Sequence, residues 1–249
     1  MSRLALVAFA AFLVFTAVLS RARPIPQHSS AEVPFVGCPS SGQAGELSPP
    51  KHESLRLTIS AAAAKGLAYY KAEQGPGTFG PRGWHCFEVY GSNGGEFYVS
   101  QERIPAVTSF YSSERAIFAG PVIEVRGESG DTSGRFVVAE VVARVFPAHK
   151  AFVESVIAEN IDPASSFPFG PYPHDKMTYR SNEMAEYETP ANTDGLGTID
   201  RIKKNAESIL GVAILAGDPP SLLQLSVRLP ISLADLSPVI IQQFEVDYK

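Results

Sequence analysis

Only two cysteines, Cys38 and Cys86, occur in the 249 residues, and both lie downstream of a segment built like an export signal. This feature constrains the fold more than any other. An exported chain with an even number of cysteines joins them, because thiols do not stay reduced outside the cytoplasm. Cys38 and Cys86 are therefore expected to form one disulfide. Closing a loop of about 49 residues stabilises by on the order of 4 kcal/mol in the chain-entropy model. The bridge would also pin residues 23–53, rich in Pro, Ser and Gly, to the body as an extended tether.

The export reading rests on the N-terminus. "MSR" precedes sixteen apolar or small residues, Leu4 to Leu19, and Ser20 and Ala22 supply small residues at the exit. A cationic start, an apolar run and a small-residue exit describe a signal peptide over 1–22. The competing reading is an uncleaved anchor, since the run approaches the lower limit for spanning and Arg21 and Arg23 follow it. "FVGC" is no lipidation site, because a polar, Pro-containing segment separates Cys38 from the apolar run. The expected location is secreted or periplasmic. A formal charge of −5 excludes a general nucleic-acid binder, which needs clustered Lys and Arg. The longest basic cluster, Arg201–Lys204, reads as a solvated helix face.

Beyond the tether, residues 54–249 read as one domain. "SLRLTI" alternates like a strand, and Ser60 is a natural N-cap for a helix "AAAAKGLAYYKAEQG" stopped at Gly75 or Gly77. Asn93-Gly94 marks a tight hairpin between "WHCFEVY" and "GEFYVS". Pairing Tyr90 with Phe97 and Glu88 with Val99 puts Trp84, Cys86 and Tyr90 on one face, with Phe97 and Val99 across from them, as a core cluster. "AIFAGPVIEVRG" and the valine-rich "RFVVAEVVARVF" read as a second hairpin about the turn "ESGDTSG". "PAHKAFVESVIAEN" reads as a helix with Phe152, Val153, Val156 and Ile157 inward. Residues 163–198 lack periodicity and read as one long loop. "ILGVAILAG", the turn "DPPS", "LLQLSVRLP" and a helix from Pro238 capped by Ser237 complete the chain. The fold class is α+β: a mainly antiparallel sheet with about three packed helices in a single domain.

"PRGWHCFEVYGSNG" (Pro81–Gly94), "TPANTDGLGT" (Thr189–Thr198) and "LSVRLP" (Leu225–Pro230) resemble segments of a family of predicted exported bacterial proteins. The resemblance implies export and a single domain in which these loops recur. It brings no catalytic residue with it.

Several constellations invite chemistry. Gly75, Gly77 and Gly80 match GxGxxG, but a phosphate loop follows a strand and opens a helix, whereas here a helix is expected before and a strand after. His85 and Cys86 would point to opposite faces of a strand, so this His cannot activate this Cys. The 163–198 segment is the best ligand-contact candidate. It interleaves aromatics with charge, and Tyr172, His174, Tyr179, Arg180, Glu183 and Glu186 are its candidate ligand-binding residues. Glu183 and Glu186 share a face if "SNEMAEYE" is helical. The alternative is an Ω-type loop packed on its own aromatics. No His/Cys/Glu spacing points to a metal or cofactor. The expected function is a non-catalytic binding or interaction module of the cell envelope. Its partner would be a small molecule, glycan or protein, not a nucleic acid, and a membrane only if the N-terminal helix is retained. The alternative is an envelope or extracellular hydrolase built around 163–198.

Overall fold

A computed structural model describes residues 29–103 and 118–249. The signal peptide expected over 1–22 lies outside the described residues. Two sheets carry the architecture. The small one has the order β4-β1-β5-β6, from β1 (Ser29–Gly37), β4 (Ser54–Ile59), β5 (Leu67–Lys71) and β6 (Thr78–Pro81). The large one holds β2 (Ser40–Gly42), β3 (Gly45–Leu47), β7 (His85–Tyr90), β8 (Gly94–Ser100), β9 (Val122–Glu128), β10 (Lys176–Tyr179), β11 (Met184–Thr189), β12 (Ile209–Ala216) and β13 (Ser221–Arg228). Its order is β10-β11-β12-β13-β9-β8-β7-β2-β3. Both sheets are mixed: β1 runs parallel to β5 and β2 parallel to β7, and the remaining pairs are antiparallel. The helices are α1 (Ala61–Gly66), α2 (Arg135–Val145), α3 (Lys150–Ala158) and α4 (Ser237–Tyr248).

The large sheet is the middle layer. Phe97, Val99, Ile123, Val125, Val212, Ile214, Leu225 and Val227 alternate onto one face, where they meet α1, α4 and the small sheet. Ala185, Tyr187, Ala213, Leu215 and Leu222 take the other face, under α2 and α3. Period-2 alternation within each strand sorts the residues into these separate cores. The α+β class expected from the pattern is observed, and the pairing is mainly antiparallel, with β1–β5 and β2–β7 the parallel exceptions.

The expected bridge is present. Cys38 and Cys86 are joined, with Cα atoms 5.4 Å apart. Of the residues read as a tether, 23–28 lie outside the described residues, and most of 29–47 is strand instead, since β1, β2 and β3 are laid into the sheets on either side of Cys38. Four further readings change. The helix after Ser60 stops at Gly66, and "LAYYK" becomes β5. The Ser60 hydroxyl does cap it, accepting from the Ala63 N–H at 3.1 Å. The valine-rich segment is α2, not a strand. β9 is already paired on both edges, by β8 and β13, so no edge remains for a following hairpin strand. Val138, Val141, Val142 and Val145 instead bury at helical spacing between the sheet and α3. The 163–198 segment is no single loop, because it contains the β10–β11 hairpin. Arg201–Lys204 is not helical, and Arg201 is buried rather than solvated.

Residues of the segments 81–94, 189–198 and 225–230 hold neighbouring backbone in place. Arg82 donates to the Ala64 and Leu67 carbonyls at 2.7 and 3.0 Å, closing the end of α1. In "TPANTDGLGT", the Leu196 N–H and the Thr189 hydroxyl both donate to Asp175, each at 2.7 Å. Arg228 of "LSVRLP" is fully buried and donates to the carbonyls of Phe118, Gly120 and Lys203. Among the described residues no helix is long and apolar enough to cross a membrane.

Candidate functional site

A groove of about 520 Å³ lies at the β10 end of the large sheet, on the face covered by α4. Alternation along β10 and β11 builds its polar wall. Lys176, Thr178 and Arg180 point the same way as Glu186 and Glu188, because Lys176 pairs with Glu188 and Thr178 with Glu186 across the ladder. α4 closes the other side with Pro238, Ile241, Gln242 and Glu245, and Leu210 and Gly211 of β12 form the floor.

The charges in this groove are paired before any ligand arrives. Lys176 Nζ lies 3.0 Å from Glu188 Oε1. Arg180 grips Glu186 Oε1 through Nε at 2.8 Å and through its terminal nitrogen at 2.5 Å. Glu245 faces Glu186 from α4. Burial, with a hydrogen bond and the charge of Glu186, pushes the Glu245 carboxyl up to about 7. Glu245 Oε1 is buried without a hydrogen-bond partner.

Of the six residues expected to contact ligand, Arg180 and Glu186 line this groove. The others do not join them. Tyr172 packs on the α2 side, with the Arg144 guanidinium 4.3 Å above its ring. His174 is exposed in the segment before β10. Tyr179 is 51 % exposed on the edge strand. Glu183 sits in the β10–β11 turn, 3.9 Å from His149 Nε2. "SNEMAEYE" is strand rather than helix, so Glu186 shares its face with Glu188, and Glu183 points elsewhere. Phe167 and Tyr187 are core residues. The residues missed are Lys176, Glu188, Gln242 and Glu245. The alternation K-x-T-x-R against E-x-E was a readable signal for the first two, whereas nothing local announces that α4 docks there.

A second ionisable row crosses the opposite face of the sheet, beneath α2. Glu96, Glu124, Arg126 and Glu128 project there from β8 and β9 and meet Arg201. Arg201 Nε lies 2.7 Å from Glu96 Oε2, and the Tyr98 hydroxyl donates to the same oxygen at 2.8 Å. Burial pushes Glu124 up to about 8 and Glu128 up to about 7, against the opposing pull of Arg126. The adjoining cavity is only about 170 Å³. Among the described residues no group of three or more His, Cys, Asp or Glu side chains is arranged to hold a metal ion.

Comparison of the chain with protein-family models, curated proteins and solved structures found no match.

Proposed function

We propose that this chain is an exported, non-catalytic binding module of the cell envelope, and that the β10–β11–α4 groove takes a neutral, hydroxyl-rich ligand such as an oligosaccharide. The observation that carries this reading is the internal pairing of the groove's ions. Pre-paired carboxylates and cations offer donors and acceptors in fixed directions with little net field, which suits hydroxyl groups better than a charged ligand. Leu210, Ile241 and Pro238 supply an apolar floor for the C–H face of a sugar ring. Export is supported by the Cys38–Cys86 bridge, because disulfides persist in oxidising compartments.

The test is screening on an array of neutral oligosaccharides, followed by calorimetry of the hits. Binding should weaken about tenfold or more in Arg180→Ala and in Glu186→Gln, the effect of losing a charge-assisted hydrogen bond. If no neutral glycan binds, or if both variants bind as well as the parent, the reading is wrong.

A hydrolase remains the second reading, favoured by the Glu186–Glu245 carboxyl pair. One protonated and one ionised carboxyl can serve as general acid and base in glycoside cleavage. That reading expects release of new reducing ends from a bound glycan, lost in both Glu186→Gln and Glu245→Gln. Binding without turnover would dispose of it.

A further inference from the structure

The Glu73–Gly95 stretch, with its GxGxxG spacing, does not form a phosphate loop: strand β5 precedes the glycines, and strand β6 follows Gly75 and Gly77 and contains Gly80. It does line a cleft of about 470 Å³, closed by the end of β9. The cleft shares no lining residue with the groove. Phe97 and Val125 pave part of its interior, and the β7–β8 turn with Gly127 supplies walls of bare main chain.

One side chain in this cleft is out of balance. Glu88 is 2 % exposed; the Gln74 N–H and the Ser40 hydroxyl lie against its carboxyl, but its Oε2 makes no hydrogen bond. It projects from β7 on the face of Cys86, opposite Phe97 and beside Ser40 of β2, whose hydroxyl is also without a hydrogen bond of normal geometry. The main chain closes over the carboxyl at Gly75, where an added Cβ would lie 2.7 Å from Oε1. Gly75 has φ +60°, so a side chain there would be strained as well. Lys71, whose charge reaches Glu88, commits its ammonium to the Gly75 carbonyl at 2.6 Å and does not line the cleft. Glu128, the other acid on the lining, is engaged by Asn93 and Arg126. Among the described residues no Lys, Arg or His lines the cleft. A buried carboxyl oxygen without a donor costs free energy that a ligand's N–H recovers on binding.

We propose that this cleft binds a small organic ammonium, whose N–H groups meet Glu88 Oε2 while its carbon skeleton lies over Phe97 and Val125. The acceptor, the lack of a cation on the cleft lining and the apolar paving select this class over anions, which would face two carboxylates, and over neutral alcohols, which forgo the ion pair.

The test uses the bridged, isotope-labelled protein near pH 8, above the point of about 7 to which burial pushes Glu88. It is titrated with butylammonium chloride and, separately, with 1-butanol, reading the amide shifts of Gly91, Gly95 and Gly127. Butylammonium should give saturable shifts at these amides with an affinity at least about tenfold above that of butanol. Glu88→Gln should erase the preference, while Glu154→Gln, an exposed carboxylate on α3, should keep it. Gly127→Val provides a second handle, because a Cβ there meets only a Leu223 methyl at 3.9 Å and the added bulk can enter the cleft without touching Glu88. It should abolish the shifts even if Glu88→Gln does not fold. Equal affinities for amine and alcohol, no saturable shift, or an intact preference in Glu88→Gln would each overturn the proposal. Because oligosaccharide binding is read at the groove and amine binding at these glycines, either can fail alone.

Discussion

Replacing Glu124 by Gln should make this protein more stable, and increasingly so as pH rises. Glu124 is 5 % exposed in the ionisable row under α2, facing Tyr98, Arg126, Glu96 and Asp200. Its carboxyl is pushed from 4.5 up to about 8, chiefly by burial. The sign follows from linkage. Below pH 4.5 the group is protonated in both states and costs nothing extra. Between there and about 8, the unfolded chain ionises while the folded protein holds the proton, so stability falls. The shift of about 8 − 4.5 ≈ 3.5, at ~1.36 kcal/mol per unit, sets an upper figure of ~5 kcal/mol. Relaxation and water entry at the charged site lower it, leaving ~2–5 kcal/mol. Gln keeps the shape and cannot ionise. The assay is urea unfolding with the bridge intact, comparing midpoints of parent and variant at a shared m-value from about pH 4.5 to about pH 9. The difference should swing toward the variant by that amount across the window and level off above about pH 8. A difference that stays flat, or that moves toward the parent as pH rises, would refute the burial argument.

Gly211→Ala should destabilise by ~1–3 kcal/mol, an overpacking cost. Its Cβ would fall 2.2 Å from the Leu225 carbonyl oxygen and 2.3 Å from the Tyr187 ring, and urea midpoints check it. Ser60→Ala should cost ~1 kcal/mol, the usual loss of a helix N-cap, because the Ala63 N–H loses its acceptor. Reducing the Cys38–Cys86 bridge should cost up to ~4 kcal/mol, seen as a lower thermal midpoint with reductant, and an unchanged midpoint would count against the chain-entropy account. Glu128→Gln should repeat the Glu124→Gln behaviour over a narrower window, since its carboxyl is pushed only to about 7.

Some of this was legible in the residues. The Asn93-Gly94 hairpin was visible, yet its register is Glu88 opposite Phe97 and Cys86 opposite Val99, a slide of two from the expected pairing. A slide of two preserves which face each side chain takes, so Trp84, Cys86, Phe97 and Val99 stay inward despite the wrong register, whereas Tyr90 lies outside the core and donates its hydroxyl to the Gly45 carbonyl. The candidate site was half legible. Arg180 and Glu186 were singled out for the right stretch but the wrong local structure, and Glu245 was out of reach because its role depends on where a distant helix docks.

Local chemistry and period dictate the Cys38–Cys86 pairing, the Ser60 cap, the hairpin faces and the α+β class, because each depends on neighbours within a few residues or on a simple count. Long-range competition for partners dictates the rest. The valines of 135–145 suit a strand, but β9 offers no free edge, so they are buried as a helix. Residues 29–47 are polar enough for a linker, yet open ladder positions beside β4, β5 and β7 draw them into the sheets. Glu88, Glu124 and Glu128 look like ordinary surface acids in a list of letters, and they become buried, proton-holding groups only once neighbouring elements cover them. A strand's preference is written in its own side chains, whereas its partners and its solvent exposure depend on the rest of the chain.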